Sequence, residues 1–231
     1  MSIEIFHGYI LRIIPYSESD VIAHIFTKEM GKLSIFIKSY RRSKKRFQGT
    51  IDRYLYNEFE IDLKEEGRLS ILKSCKIIDP LINLRRFPAK LVYAEHASEI
   101  FLNVLHADKE EFDEFDRILR FIEFVDEIRY SHLLAIRFNI LKRAGIMPYL
   151  EDIEDNLYST TNFRFSSTQG SVMVTKKQAK FLLLYQDDDE SLFNYTFNDD
   201  EKRVFGRIFS TLYYSVTPKK LVTITLLKEF I

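Results

Sequence analysis

One cysteine and no tryptophan occur among the 231 residues. With Cys75 alone, no intrachain disulfide can close and no cysteine-based zinc site can be built. That usage fits a reducing cytoplasm. No excess of one charge exists either: 34 Lys and Arg meet 34 Asp and Glu, so the whole-molecule field draws in no polyanion. No run of about 18 uncharged apolar residues is present, which predicts no membrane span. The opening Met1-Ser2-Ile3-Glu4-Ile5-Phe6-His7 lacks the basic start and apolar run of a secretory signal, and a cytoplasmic location is expected. Catalytic signatures are missing as well. There is no His-x-x-x-His, Gly-x-Gly-x-x-Gly, P-loop or Gly-x-Ser-x-Gly. No enzymatic activity, catalytic residue, metal or cofactor is therefore expected.

Aromatics are abundant, with 20 Phe and 13 Tyr, and most of them belong in a core. The length allows one large domain or two small ones. Period-two alternation predicts five strands in the first 79 residues. The first holds Ile3, Ile5, Tyr9, Leu11 and Ile13 on one face. The second runs from Asp20 to Thr27, with Val21, Ala23 and Ile25 opposed to Ile22, His24 and Phe26. The third, Lys32 to Lys38, sets Leu33, Ile35 and Ile37 against Ser34, Phe36 and Lys38. Met30-Gly31 joins these two as a hairpin. Tyr54 to Leu63 is the fourth, with Leu55, Phe59 and Ile61 inside, and Leu69 to Ile78 the fifth. Five short strands with a long connection after the third predict a small barrel or sandwich. Periodicity does not separate an OB-type barrel from an SH3-like one.

After Pro80 the pattern turns helical. Pro88 suits a helix start. Residues 108–130 form an acidic helical stretch with an apolar face of Phe112, Phe115, Leu119, Ile122 and Val125. Ser131 is the expected cap of the next helix, which stops at Gly145. Residues 146–174 read as irregular, 176–185 and 199–214 as helical, and 221–227 as helix or strand. The expected architecture is α+β: residues 1–79 a barrel, residues 80–231 an all-α domain with an irregular insertion at about 146–174.

Charge is concentrated in one place. Six of the nine residues from Lys38 to Arg46 are basic. A long loop anchored by strands at both ends is where barrel folds hold ligands. Arg suits phosphate forks, and interleaved aromatics allow base stacking. The candidate nucleic-acid contacts are Lys38, Arg41, Arg42, Lys44, Lys45 and Arg46. Tyr40 and Phe47 would stack on bases or brace the loop, and Arg12 and Lys32 would extend the positive face. Glu18 and Asp20, two apart, read as a polar turn opening the second strand rather than an acid/base pair.

Four motifs in order resemble the RecO family of recombination mediators. They are Gly8-Tyr9-Ile10-Leu11-Arg12, Tyr16-Ser17-Glu18-Ser19-Asp20, Phe26-Thr27-Lys28-Glu29-Met30-Gly31-Lys32 and Lys38-Ser39-Tyr40-Arg41-Arg42. The resemblance is good over roughly residues 8–90. It implies an N-terminal OB-fold and then a helical domain. It also implies binding of single- and double-stranded DNA, strand annealing, and work with RecR and single-stranded-DNA-binding protein (SSB) in loading RecA, on the nucleoid. Many members carry a four-cysteine zinc module after a Gly-x-x-Pro-x-Leu segment. Here Gly145, Pro148 and Leu150 match that segment, but Ile153, Asn156, Val172 and Met173 stand near the expected cysteine positions, so zinc is excluded by residue type. Two readings of this region stay open: packing of Phe163, Phe165 and Val174 keeps the module's shape, or the region is a plain loop. The family's basic C-terminal segment reads Leu221-Val222-Thr223-Ile224-Thr225, without basic residues. Arg137, Lys142 and Arg143 on the helix 131–144 are the expected dock for the acidic tail of SSB. The alternatives are an RNA-binding OB-barrel protein and a protein-interaction scaffold without nucleic-acid binding.

Overall fold

In a computed structural model of the protein, the described residues are 3–42, 47, 49–65, 68–147, 163–167, 170–175, 178, 179, 181, 182, 184 and 193–230, with backbone alone for 163–167 and 170–174. The strands are β1 (Ile3–Pro15), β2 (Val21–Thr27), β3 (Gly31–Ile37), β4 (Tyr56–Asp62) and β5 (Ser70–Asp79). They close into a barrel of order β1-β2-β3-β5-β4. All neighbours are antiparallel except β3 and β5, which pair in parallel at Ile35–Ser70 and Phe36–Ile71. The barrel is of the OB type.

Residues two apart share a strand face. The barrel interior is filled accordingly by Val21, Ala23 and Ile25 of β2, Ile35 and Ile37 of β3, Phe59 and Ile61 of β4 and Leu72 of β5. β1 departs from the expected face. Phe6 and Ile10 point inward, whereas Ile3 and Ile5 are exposed. Both faces of β1 are apolar, so alternation alone does not choose between them. A bulge between Ile10 and Arg12 then shifts the register and brings Ile13 onto the inner side.

Tyr9, on the outer side of β1, is buried nonetheless, and so is Phe26 of β2. A 3-10 turn (Lys109–Glu111) leads into helix α3 (Phe112–Phe124). The Phe112 and Phe115 rings lie 5.3 Å from the Phe26 ring and 6.0 Å from the Tyr9 ring. Aromatic contacts of this kind contribute about 0.5–1.5 kcal/mol each beyond area burial. Polar ties reinforce the contact. The Tyr9 hydroxyl donates to the Asp116 carboxylate at 2.5 Å, and burial raises its pKa. Arg120 donates to Asp116 at 2.8 Å and to Asp79, at the end of β5, at 3.0 Å. Helix α1 (Ile82–Arg86) is held by Glu123, whose carboxylate accepts the Leu84 N–H at 2.9 Å.

Contacts divide the chain into residues 1–94 with 107–125, and residues 95–106 with 126–231. The division falls within helix α2 (Pro88–Val104). It differs from a boundary at 79/80, because the apolar face of α3 completes the outside of the barrel.

The second unit contains helices α4 (Tyr130–Arg143), α5 (Asp199–Val216) and α6 (Ile224–Leu227). Asn198 and Glu201 form a capping box at the start of α5, each side chain accepting the other's backbone N–H. Arg129, not Ser131, precedes the first turn of α4, and its N–H donates to His132 Nδ1 at 3.0 Å. Ser131 instead donates to the Phe193 carbonyl. The segment 146–174, expected to be irregular, holds a hairpin of β6 (Phe163–Ser167) and β7 (Gly170–Val174). Phe163-x-Phe165 and Val172-x-Val174 carry the alternation that a strand pair needs. The positions of Ile153 and Asn156 lie outside the described residues, as do Pro148, Leu150 and the side chains of Phe163, Phe165 and Val174.

Candidate nucleic-acid interface

The basic run starts where β3 ends. Lys38, Arg41 and Arg42 are exposed. Lys44, Lys45 and Arg46 lie outside the described residues. The start of the loop is tied to the turn before β2. The Asp20 carboxylate accepts the Ser39 N–H at 2.7 Å and the Ser17 hydroxyl at 3.0 Å. The Arg41 N–H donates to the Ser19 carbonyl at 3.0 Å. Ser39 takes a left-handed φ of 57°, a conformation costly for a residue with a Cβ and held here by those bonds. The Ser39 N–H, followed by the Ser17 and Ser19 hydroxyls and the Lys38 charge, holds the Asp20 carboxyl below its usual range. The motif Tyr16-Ser17-Glu18-Ser19-Asp20 is thus a scaffold for the basic loop. Arg42 also approaches Glu18 at 3.9 Å, an exposed pair of little energetic weight.

The two loop aromatics do not share the solvent face. Phe47 is 3% exposed and belongs to the barrel core. With its ring buried there, base stacking by Phe47 is not supported. Tyr40 is half-buried against the same core, and its hydroxyl donates to the Ile51 carbonyl at 3.3 Å. Both rings brace the loop.

A different aromatic pair reaches the surface, with Tyr16 exposed and Phe36 half-buried. Tyr16, 64% exposed, meets Phe36 edge-on at 5.5 Å. Phe36 stands on the outer face of β3, opposite Ile22 of β2. The next row along that face is Arg12, His24 and Ser34. Beyond it, Lys32 lies opposite Phe26. Arg12 and Lys32 are exposed, and neither has an ion-pair partner among the described residues. His24 Nδ1 sits 2.8 Å from the Ser34 hydroxyl. Partial burial, with Lys32 and Arg12 nearby, pushes the His24 pKa down. The outer face of β1–β3 therefore presents the exposed Tyr16 ring, the half-buried Phe36 ring and a cluster of cations, continuous with the basic loop.

Tyr16, Phe36 and His24 were not among the candidate contacts from sequence, and Asp20 read only as part of a polar turn. The available signal was Phe36, an aromatic on the polar side of an otherwise amphipathic strand. Of the expected partner contacts, Arg137 is 4% exposed. Its guanidinium donates to His96 Nε2 at 2.9 Å and lies over the Phe209 ring at 4.6 Å. It braces the helical unit and is not a surface dock. Lys142 and Arg143 are exposed at the end of α4.

Residues 1–81 match the family model described as recombination protein O N terminal. Over that stretch the chain is similar to the RecO family. A DNA repair protein RecO from Syntrophus aciditrophicus is 25% identical over 146 residues, covering 62% of this chain and 56% of that protein. One from Syntrophobacter fumaroxidans is 30% identical over 147 residues, covering 62% and 57%. A third, from Thermodesulfovibrio yellowstonii, is 24% identical over 235 residues, covering 90% of this chain and 93% of its own length. For the first two, the matched stretch spans little more than half of the relative. The matched stretch holds the barrel, which carries the aromatic and cationic face. No helix among the described residues is long and apolar enough to cross a membrane.

Proposed function

We propose that this chain is a non-enzymatic, DNA-binding mediator of recombinational repair. One observation carries the reading: the outer face of β1–β3 joins the exposed Tyr16 and the half-buried Phe36 to Arg12, Lys32, Lys38, Arg41 and Arg42. The strand 2–3 face is where OB barrels take oligonucleotides. Rings offer stacking to any base, and cations neutralise phosphates without reading sequence. Relatives bearing the name DNA repair protein RecO support the biological setting.

On this reading the chain binds single strands along the face and duplexes through the loop. Neutralising two strands at once lets them anneal. RecR and the acidic tail of SSB are its partners, with RecA loaded on the nucleoid as the outcome. Lys142 and Arg143 remain the cationic candidates for the tail. The test is charge reversal of Arg41, Arg42, Lys44 and Lys45 to Glu, followed by binding and strand-annealing assays at two salt concentrations. Binding should be abolished while the thermal midpoint stays nearly unmoved. If all six loop cations contact single-strand phosphates, log affinity against log salt should slope by about −4 in the unaltered chain. An unchanged binding curve for the reversal variant would sink the site assignment. Equal affinity for matched DNA and RNA strands would move the reading to RNA.

A further inference from the structure

We infer that Arg12, His24, Ser34 and Lys32 form a phosphodiester subsite on the β1–β3 face, and that filling it with single-stranded nucleic acid takes up a proton at His24. The inference rests on the nucleic-acid reading of this face and adds a specific subsite and a linkage to it. The geometry is set by register. His24 on β2 has Arg12 beside it on β1 and Ser34 beside it on β3. Lys32 lies one row away on the same face of β3. These are the charged and titratable side chains that act on the His24 ring from the adjoining strands. Ser34 fixes the ring through Nδ1 at 2.8 Å, which leaves Nε2 as the nitrogen available for a ligand.

The subsite lies one row from the Tyr16–Phe36 pair. Alternate residues on a strand are about 7 Å apart, close to the span from a base to its own phosphate. A nucleotide can thus rest its ring on Phe36 and its phosphate on Arg12 and His24.

The electrostatics give the sign of the linkage. In the free protein, burial and the neighbouring cations hold His24 neutral at a pKa below its usual value. A phosphate brings a negative charge between those cations and the ring. It cancels their repulsion and accepts a hydrogen bond from protonated Nε2, so the bound state favours the imidazolium. Binding therefore tightens as pH falls through the window between the free and bound pKa values. The limit is about tenfold per pH unit for one proton.

The experiment uses the full chain and a labelled oligothymidylate with a 5′ hydroxyl, so that neither bases nor a phosphomonoester titrate near neutrality. Affinity is measured from pH 8 to pH 6 for the unaltered chain and for His24→Gln, which keeps a side chain able to meet Ser34 but cannot take up the proton. The unaltered chain should bind several-fold more tightly at the lower pH, and the variant should lose that part of the dependence. In parallel, imidazole resonances of the unaltered chain are titrated with and without the strand. The His24 pKa should rise on binding. Equal pH slopes in the two proteins, or a His24 pKa unmoved by the strand, would overturn the inference. Neither result touches the loop assignment, which stands or falls on the charge-reversal variant.

Discussion

The Asp20 carboxylate holds the Ser39 N–H at 2.7 Å and thereby joins the turn before β2 to the first residues of the basic loop. Replacing Asp20 with Ala should release the left-handed Ser39 and weaken nucleic-acid binding, although Asp20 itself carries the wrong charge to touch a phosphate. The pH dependence has a definite sign. The carboxyl is held below its ordinary range, so its stabilising effect is fully present above the unfolded value of about 3.9. It disappears as pH falls through the lower folded value. The midpoint difference between the unaltered chain and Asp20→Ala should be constant at neutral pH and shrink in acid. Thermal melts over that range check it. A difference that grew on acidification would contradict the assignment.

On the proposed reading, Tyr16 and Phe36 offer rings to a bound strand. Removing either with Ala should cost about 1–3 kcal/mol of single-strand affinity. Tyr16 is largely exposed, so its loss should leave the melting midpoint nearly unchanged. Fluorescence anisotropy with a labelled oligonucleotide measures the first quantity and differential scanning calorimetry the second.

Phe47 answers differently. Its ring fills the barrel core, and Phe47→Ala should destabilise the fold by about 3–5 kcal/mol. Urea unfolding reads this directly. Unaltered stability combined with weaker binding would mark the ring as a base-stacking one.

Gly8 sits where β1 crosses close to β2. A Cβ there would lie 1.9 Å from the Phe26 carbonyl oxygen and 2.9 Å from the Thr27 Cα. The obstacle is backbone, which no rotamer change relieves. Gly8→Ala should therefore reach or exceed the usual overpacking cost of about 1–3 kcal/mol, seen as a fall in the urea midpoint.

The five strands were legible because each alternates over six or more residues, and Val21-x-Ala23-x-Ile25 and Leu33-x-Ile35-x-Ile37 face the interior as that pattern requires. The barrel type was not, since it depends on the parallel β3–β5 pairing, a long-range contact invisible to local periodicity. The face of β1 was misjudged for a related reason. Tyr9 needs an apolar neighbour outside the barrel, and that neighbour, α3, comes a hundred residues later in the chain. The loop's position could be read from its charge. Its dependence on Asp20 could not, because Glu18 and Asp20 look alike in sequence while only Asp20 reaches Ser39. Arg137 shows the same limit: a helix pattern does not distinguish a cation on the surface from one buried against His96 and Phe209.

The cover that α3 places over Tyr9 and Phe26 turns the outer surface of β1–β3 into a shelf with a back wall. Past the row of Arg12, His24 and Ser34, the β1 and β2 part of the sheet is covered by the protein's own aromatic rings, and only Lys32 of β3 stays exposed. In the other direction it runs open toward Tyr16, Phe36 and the basic loop. On the proposed reading, a strand laid on such a shelf with its bases on the rings and its phosphates on the cations is bounded at one end and can run on only toward the loop.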